Sequence, residues 1–408
     1  MSEPTCRLCG APLRVSFADL GVSPIANDYV EDPGAAETFY PLHAYVCESC
    51  LMVQLGTIVD AGHIFRDDYA YFSSYSDSWV DHARRYVEAM VERFGYGSES
   101  NVVEVASNDG YLLQFFVQRG VPVLGVDPTA GTAAAAEKRG VTTRVEFFGS
   151  ELAERLVEEG QAADLVIGNN VLAHVPPVHD FVEGLRVLLK PGGVVTMEFP
   201  HLMRLIEKRE FDTIYHEHYS YWSVLVVERL FAEHGLELFD VEELPTHGGS
   251  LRIYARHAGE GEPGDRVEEI KERERAAGLD RLETYQAFNE AVRGVKRDVL
   301  DFLIQAKREG KSIAAYGAAA KGTTLLNYCG VGSEFVDYVL DRNPHKQGTL
   351  LPGVRIPIHP PEHALETRPD YLLILVWNLK DEIVEQMAHI REWGGRFVVP
   401  VPEVEVLD

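Results

Sequence analysis

Long apolar runs and basic residues are scarce in this 408-residue sequence, and each scarcity excludes a class of protein. No apolar run approaches the roughly 20 residues that a membrane helix needs. The polar start, MSEPTCRLCG, lacks the apolar core of a signal peptide, so we expect a cytoplasmic protein. The 38 Lys and Arg residues face 64 Asp and Glu, and the resulting net charge of −26 argues against nucleic-acid and membrane partners.

Cysteines are also few, and four of the five occur in two matched pairs. Cys6 pairs with Cys9 and Cys47 with Cys50, both at C-x-x-C spacing, which in a reducing compartment indicates a metal site rather than disulfides. Two such turns direct four thiolates at one point and complete a tetrahedron around Zn²⁺. Because four cysteines leave no open coordination position, we expect a structural zinc; the alternative is four unliganded thiols. Cys329 lies far away and is expected to be inert packing.

Strands and helices alternate from residue 101 onward. Apolar segments bounded by glycine are separated by helical stretches, which predicts a parallel, doubly wound α/β sheet; the segments are NVVEVA, PVLGVD, DLVIGN and GGVVTMEFP. Two later runs, LELFDVEEL and SLRIYARH, predict an antiparallel pair at the sheet edge. A strongly charged stretch over 260–292 predicts a linker that runs into a long solvated helix ending near Gly310. Alternation then resumes, so we expect domains at 1–75, 76–262 and 263–408, the last being Rossmann-like.

The turn EVASNDGYLL, after the first strand of the middle domain, is the predicted cofactor loop. It lacks the G-x-G-x-x-G pattern of dinucleotide-binding folds and keeps only Gly110, while Asp127 ends the second strand, where ribose hydroxyls are received. S-adenosylmethionine carries a sulfonium cation and no phosphate, so an acidic, glycine-poor loop suits it, and the pattern resembles class I methyltransferases. The alternative is a nicotinamide-binding domain. The expected cofactor contacts are Glu104, Ala106, Asn108, Asp109, Gly110, Tyr111, Asp127, Pro128, Asn169 and Asn170, and for the last two the alternative is an ordinary turn.

The whole chain resembles the sugar C-methyltransferases of deoxysugar biosynthesis, which combine a four-cysteine zinc segment, a methyltransferase domain and a C-terminal Rossmann-like domain. The resemblance covers nearly all of the sequence and rests on the motifs CRLCG…CESC, YAYFSSYS, EVASNDGYLL, GNNVLAHVP, YHEHYSYWS, HGGSLR and YGAAAKGTTLLN. It implies methylation of a carbon next to the ketone of a 4-keto-6-deoxy sugar linked to thymidine diphosphate (dTDP), at C-3′, in antibiotic biosynthesis.

The histidine-rich segment IYHEHYSY (residues 214–221) fits that reaction. Methylating carbon needs an enolate, so a base must remove the proton next to the ketone and hydrogen-bond donors must hold the developing oxyanion. Histidine is the natural base because its pKa lies near working pH, while a glutamate can orient it and a tyrosine can steady the oxygen. The resemblance implies His218 as the base, with Glu217 and Tyr215 beside it and with Tyr69 and His174 on other walls of the cleft.

Two further segments carry candidate substrate contacts. In YGAAAKGTTLLN the backbone amides and Lys321 are expected to receive the diphosphate; the alternative is that the small residues let a helix pack tightly. In the segment LDRNPHKQG, Arg342 is the expected nucleotide contact, with Asn343 and His345 as further candidates. The hydroxyl-rich run YAYFSSYS predicts a pocket wall that includes Tyr71 and Ser73, and its alternative is a polar loop.

Several alternatives stay open. His216 alternates with His218 and is expected to face away from it, but an H-x-H pair can also bind metal, and the segment can be a polar surface loop. At the level of function, the alternatives are a zinc-ribbon interaction protein with non-catalytic α/β domains and an N- or O-methyltransferase that acts on another small molecule. The sequence does not decide the oligomeric state, and a monomer fits it.

Overall fold

Three β-sheets with helices packed on them make up the chain. The computed structural model describes residues 3–60, 62, 72–262 and 264–407. The α/β class predicted from the sequence is confirmed, and the sheets follow one another in the predicted order of the domains. The domain boundaries at residues 75 and 262 stay predictions. None of the helices in the described part of the chain is long and apolar enough to span a membrane.

The N-terminal sheet is antiparallel, and its last strand comes from the middle of the chain. Alternating burial along the second strand is typical of a sheet with one face on the core. The strands are β1 (Val15–Ser23), β2 (Tyr40–Val46), β3 (Val53–Leu55) and β9 (Ser220–Tyr221), in the order β1-β2-β3-β9. Because β9 is the end of the histidine-rich segment, that segment is fixed against the N-terminal sheet.

The middle sheet has seven strands in the order β10-β11-β8-β7-β4-β5-β6. Its central strands β4 and β7 are buried on both faces, as expected for parallel strands that are covered by helices. The predicted antiparallel edge pair is confirmed, since β11 runs antiparallel to both of its neighbours. The strands are β4 (Val102–Val105), β5 (Val123–Val126), β6 (Thr143–Arg144), β7 (Ala163–Asn169), β8 (Leu189–Pro200), β10 (Leu236–Leu244) and β11 (Ser250–His257).

Seven helices accompany the middle sheet in the described residues. The first begins at a cap in which the Ser76 side chain accepts a hydrogen bond from the amide of Trp79, and it ends at Gly95 in the left-handed conformation. The helices are α1 (Asp77–Phe94), α2 (Leu113–Val117), α3 (Ala130–Glu137), α4 (Ser150–Glu158), α5 (Val178–Leu188), α6 (Leu202–Glu207) and α7 (Val224–Glu233).

The charged stretch after β11 is not the predicted linker and solvated helix. It forms two packed helices, α8 (Asp265–Ala276) and α9 (Leu282–Arg308). Helix α8 buries Val267, Ile270 and the carboxylate of Glu274. Helix α9 buries an apolar stripe, although it does end near Gly310 as expected. The high charge density misled because most of the charged residues lie on the outer faces of these helices and conceal the apolar stripe beneath.

The C-terminal sheet has six strands in the order β14-β13-β12-β15-β16-β17 and is parallel except for its last strand. The strands are β12 (Ile313–Tyr316), β13 (Tyr338–Leu340), β14 (Ile358–His359), β15 (Tyr371–Ile374), β16 (Arg396–Val399) and β17 (Glu405–Leu407). The helices are α10 (Ala320–Cys329), α11 (His363–Thr367) and α12 (Lys380–Gln386). Cys329 is buried in this core, as expected for an inert packing residue.

The N-terminal and C-terminal sheets share one hydrophobic core through helix α9. Phe17 of β1 stacks on Phe288 of α9 with the ring centroids 4.4 Å apart. The apolar residues of the C-terminal strands belong to the same cluster. The N-terminal sheet therefore packs as part of one body with helix α9 and the C-terminal sheet.

Candidate active site

Two C-x-x-C turns bring four thiols together at the start of the chain. Their Sγ atoms all lie within 4.8 Å of one another, and the distances from Cys6 to Cys50 and from Cys9 to Cys47 are 3.5 Å. Tetrahedral zinc with bonds of about 2.3 Å places its sulfurs about 3.8 Å apart, so the four thiols fit this ion. Among the described residues no other group of three or more such ligands occurs, so the suggested metal pair of His216 and His218 gains no support.

Arg7, in the first cysteine turn, connects the zinc site to the histidine-rich segment. Its backbone amide donates to Gln54 Oε1 at 2.9 Å, and Gln54 Nε2 in turn donates to the Sγ of Cys6 at 3.0 Å. The Arg7 guanidinium donates to the carbonyl of Leu55 at 2.9 Å and to the carbonyl of Tyr219. Burial lowers the pKa of Arg7 to about 10, which leaves it charged near neutral pH. The cysteine turn is thus tied to the end of the histidine-rich segment.

The cofactor loop (residues 106–111) has an unusual backbone. Ala106 and Asn108 have φ angles of 58° and 48°, in the left-handed region that few residues with a side chain adopt. Gly110 has a φ of 75°, and a Cβ atom there would lie 3.2 Å from Ala136 and Val141, so both the backbone and the close approach of helix α3 favour glycine. The amide of Asn108 donates to Asp127 Oδ2 at 3.0 Å, which fixes the loop to the end of β5.

Three buried acids, Glu104, Asp109 and Asp127, surround this loop. Burial raises the pKa of Glu104 well above its usual value, and the charges of Asp127 and Asp109 raise it further. Asp109 is partly compensated, because Ser74 donates to it and Arg139 lies 3.5 Å away. Ser73, expected at the substrate, donates its amide to Asn108 Oδ1 at 2.9 Å and so lies against the cofactor loop.

Several buried polar side-chain atoms in and just after β4 and β7 have no hydrogen-bond partner among the described residues. They are both oxygens of Glu104, Asp109 Oδ1, both amide atoms of Asn169 and Asn170 Oδ1. Buried polar groups are normally paired, so these atoms fit a ligand that carries hydroxyl and amino groups. S-adenosylmethionine carries both, together with a cationic sulfonium that suits acidic surroundings. The donor set therefore fits the predicted cofactor.

Three other predicted cofactor contacts, Tyr111, Pro128 and Asn170, lie near the cofactor loop or at the carboxyl edge of the sheet. Tyr111 is buried in the core beside Trp79, with the ring centroids 6.1 Å apart. Pro128 lies half-buried directly after Asp127, between β5 and helix α3. Asn170 has a φ of 54°, and its amide donates to the carbonyl of Glu198 at 2.7 Å. These residues stay predictions as direct contacts.

His218 is held by two hydrogen bonds that determine its tautomer. Its Nδ1 lies 2.8 Å from the carbonyl oxygen of Thr213, which can only accept, so Nδ1 carries the hydrogen. Its Nε2 lies 2.8 Å from the hydroxyl of Tyr215 and keeps its lone pair. Burial lowers the pKa of His218 well below its usual value, and the neighbouring His174, His247 and Lys321 lower it further, while the hydrogen bond to Thr213 opposes the change. The ring is therefore neutral near pH 7, which is the form a general base requires.

Two other members of the predicted catalytic set can be located. His174 lies edge-on to His218 with the ring centroids 4.7 Å apart, and burial lowers its pKa to about 4. Glu217 accepts hydrogen bonds from Asn27 Nδ2 at 3.0 and 2.9 Å, and burial raises its pKa to about 7. No hydrogen bond found in the described residues joins Glu217 to His218. The base is oriented by Thr213 and Tyr215 instead of by the glutamate that the sequence suggested.

His216 faces away from His218, as expected from their alternation. Its Nε2 lies 3.3 Å from the carbonyl of Pro41, and its ring packs against Tyr40 of the N-terminal sheet. The predicted catalytic Tyr69 and the predicted substrate contact Tyr71 lie outside the described residues.

Lys321 lies on helix α10 of the C-terminal unit, which is the C-terminal sheet together with the helices packed on it, and forms another wall of the same site. Its Nζ lies 4.2 Å from the ring centroid of Trp377 and donates to Asn378 Oδ1 at 3.1 Å. Two buried acids that lie just before the histidine-rich segment, Glu210 and Asp212, interact electrostatically with the Lys321 ammonium. Burial raises the pKa of Glu210 to about 8 and that of Asp212 to about 6, and Lys321 opposes both rises.

Arg342 lies further out, in the loop after β13. Its side chain is 45% exposed, and its guanidinium is 3.9 Å from Glu382, so it is available to a ligand that approaches from solvent. In the same loop His345 Nε2 lies 3.5 Å from the hydroxyl of Tyr75. The amide of Asn343 donates to Asp341 at 2.8 Å, which shapes the loop. The roles of these residues toward a nucleotide stay predictions.

His247 was not singled out from the sequence, although it lies in the motif HGGSLR. Its φ of 53° is in the left-handed region, and its ring packs edge-on against Trp79 with the centroids 5.4 Å apart. A Cβ atom on the next residue, Gly248, would lie 2.2 Å from Glu210 Oε1. Burial and then the charge of Lys321 lower the pKa of His247 to about 4. In the sequence, the signal that could have identified it is a histidine followed directly by two glycines, and the structure shows that a Cβ atom on either glycine would clash.

Comparisons with known proteins give a consistent result over the whole chain. Three family models match, described as a zinc-binding domain at residues 6–65, a methyltransferase domain at 79–241 and a C-methyltransferase C-terminal domain at 245–402. The C-methyltransferase NovU of Streptomyces niveus is 37% identical over 405 residues, which cover 98% of this chain and 96% of that protein. A ubiquinone biosynthesis O-methyltransferase of Chelativorans sp. is 26% identical over 23% of this chain and 38% of its own length. Magnesium protoporphyrin IX methyltransferase of Synechocystis PCC 6803, solved with S-adenosylmethionine, matches 50% of this chain and 99% of its own with 16% identity and a TM-score of 0.37.

Proposed function

This chain belongs to the C-methyltransferase family, and from that premise we propose that it methylates the carbon next to the ketone of a dTDP-linked 4-keto-deoxy sugar, at C-3′, in antibiotic deoxysugar biosynthesis. The expected enzyme class and both cofactors, S-adenosylmethionine and a structural zinc, are confirmed. Family membership sets aside the nicotinamide-binding domain and the non-catalytic interaction protein. The substrate and the roles of the individual residues belong to the proposal.

The observation that carries the proposal is the state of His218. A neutral imidazole with a hydrogen on Nδ1 and a lone pair on Nε2 is ready to take a proton, and the Thr213 carbonyl prevents it from turning. Transfer to nitrogen or to a phenolic oxygen does not require removal of a proton from carbon. A buried base that is kept neutral by its surroundings supports an acceptor that must first become an enolate, and the hydrogen-exchange experiment below separates this case from a base that deprotonates a hydroxyl or an amine.

The cofactor side of the proposed site consists of Glu104, Asp109, Asp127, Asn169 and Asn170. S-adenosylmethionine, when bound, supplies an electrophilic methyl group. The acids would accept hydrogen bonds from ribose hydroxyls and from the amino group, and a cationic cofactor would offset the burial and mutual crowding of three carboxyl groups that raise the pKa of Glu104. The two asparagines follow β7 at the carboxyl edge of the sheet, where α/β folds place their ligands.

The substrate side consists of the histidine-rich segment and the C-terminal unit. His218 removes the proton next to the ketone, and the Tyr215 hydroxyl on its Nε2 is placed to move onto the enolate oxygen as that proton is taken. We assign Glu217 to the sugar ring, because its carboxylate has acceptor sites left for a hydroxyl or amino substituent. Lys321 is assigned to the diphosphate, because the ammonium lies on this wall of the cleft and burial, which raises the pKa of Glu210 to about 8 and that of Asp212 to about 6, weakens the two carboxylates that compete with a phosphate for it.

Deuterium exchange separates this proposal from N- or O-methylation. The enzyme is incubated with a dTDP-4-keto-6-deoxy sugar in D₂O without methyl donor, and exchange at the carbon next to the ketone is followed by NMR. We expect the wild-type enzyme to exchange this hydrogen. His218→Asn should keep binding of S-adenosylhomocysteine, measured by calorimetry, but lose exchange and turnover by about 10²-fold or more. A variant with near-normal exchange would eliminate His218 as the base.

A further inference from the structure

Asn27 lies 190 positions before Glu217 in the sequence, yet their side chains are in direct contact. The Asn27 Nδ2 lies 3.0 and 2.9 Å from the two carboxylate oxygens of Glu217, which is otherwise buried at 2% exposure. These are the side-chain hydrogen bonds that the described residues provide to this carboxylate. A residue of the N-terminal segment therefore determines where a proposed catalytic group lies.

The same amide is connected to the C-terminal unit through Tyr29. The Tyr29 hydroxyl donates to the carbonyl of Ala318 at 2.6 Å and lies 3.3 Å from Asn27 Oδ1. Lys346 Nζ donates to the same carbonyl at 2.8 Å. Ala318 belongs to the loop between β12 and α10 that is assigned to the diphosphate. The contacts thus run from the nucleotide side of the cleft, through the N-terminal segment, to Glu217.

We propose that Asn27 is a positioning residue of the active site, which holds the Glu217 carboxylate in its ionised form and in the orientation that receives the sugar. The inference rests on the proposed function, because it uses the role assigned there to Glu217. It gives the N-terminal segment a part in the reaction beyond folding, since that segment supplies one of the groups on which a substrate-binding carboxylate depends.

The physical basis is the cost of burying a charge. Burial raises the pKa of Glu217 to about 7, and the Asn27 hydrogen bonds oppose that rise. Among the described residues, the other titratable groups that face Glu217 are Tyr29, Tyr219 and His174. Burial keeps both phenols neutral, and the His174 ring interacts with the backbone of Glu217 rather than its carboxylate. Asn27 is therefore the group whose loss should change the ionisation of Glu217 most directly.

The test compares the full-length, zinc-loaded wild type with Asn27→Leu, Glu217→Gln and the double variant. Asn289→Leu is the matched control, because Asn289 accepts a hydrogen bond from the amide of Asp19 at 3.2 Å between helix α9 and the N-terminal sheet. The first readout needs no substrate: infrared difference spectra follow the carboxyl band that disappears in Glu217→Gln as the pH is varied. The second readout is the pH dependence of kcat/KM for methyl transfer.

In Asn27→Leu we expect the midpoint of the carboxyl band and the acidic limb of the rate profile to rise together by about one pH unit, since the ionised form loses its donors. Asn289→Leu should leave both unchanged, and Asn27→Leu should add little to the rate loss of Glu217→Gln. A carboxyl midpoint in Asn27→Leu within about 0.2 pH units of wild type would overturn the proposal. So would a rate loss from Asn27→Leu that is as large in the Glu217→Gln variant as in the wild type.

Failure of the proposed function and failure of the proposed role of Asn27 give different results. If the wild type methylates no dTDP-keto sugar, the proposed function fails, and the infrared titration still decides the role of Asn27. If Asn27→Leu does not fold, Asn27→Ser, which is smaller and stays polar, is measured in the same way. A carboxyl midpoint near 4.5 in the wild type, the usual value for glutamate, would refute the burial on which the inference depends.

Discussion

Replacing Arg7 by methionine should loosen the histidine-rich segment even though the two are far apart in sequence. The guanidinium donates to the carbonyls of Leu55 and Tyr219, and methionine keeps the apolar stem without the donors. Hydrogen bonds from a charged group contribute about 1.5–3 kcal/mol each. The Tyr219 carbonyl still accepts from the amide of Leu55 at 3.0 Å, so the lower end applies and the total loss is about 3 kcal/mol.

Local hydrogen exchange is the appropriate assay, because a chain with several units does not unfold in one step. A loss of about 3 kcal/mol corresponds to about 10²-fold faster opening of the segment. We expect that acceleration by mass spectrometry in the peptides that cover residues 52–56 and 214–222. Chelation of zinc should accelerate the same peptides, since the cysteine turn holds the backbone of Arg7 in place.

Arg14→Met is the control for this prediction. Arg14 lies in the same N-terminal segment, but its side chain is 65% exposed and pairs only with Glu3 among the described residues. Its substitution should leave exchange in both peptides unchanged. If Arg7→Met also left their protection within about threefold of wild type, the idea that the cysteine turn holds the histidine-rich segment would be refuted.

Two further predictions concern residues that the sequence did not single out. His247→Gly should be about 1 kcal/mol more stable than His247→Ala, because glycine adopts a φ of 53° without strain; equal hydrogen-exchange protection of residues 245–250 in the two variants would contradict this. Glu274→Gln should cost about 3 kcal/mol of local stability, seen as about 10²-fold faster hydrogen exchange over residues 223–227, since the buried carboxylate accepts from His201 Nε2 at 2.7 Å and from the amide of Val224 at 2.6 Å. The exposed neighbour Glu272→Gln should be neutral, and a similar loss in both variants would show that the effect is not local.

Much of the architecture could be predicted from local pattern. The cysteine pairs, the alternation of buried strands with helices and the acidic loop after the first strand each report a local requirement, so each was visible in the sequence. The charged stretch before residue 310 was interpreted wrongly, because composition reports the outer face of a helix and hides the stripe beneath it. Glu274 shows the limit most clearly, since nothing around it in ERERA distinguishes a buried carboxylate from its exposed neighbours.

The sequence by itself determined which chemistry is present: four thiols for a metal, an acidic loop for a cationic cofactor and a histidine among tyrosines for a base. Tertiary structure decided which groups act on one another. Thr213 and Tyr215 set the tautomer of His218, while Glu217 turns to Asn27. The reason is that a sequence pattern reports which residue types and periodicities a segment carries, whereas hydrogen-bond partners depend on how the folded segments meet, and the partner of Glu217 lies 190 positions away in the N-terminal segment.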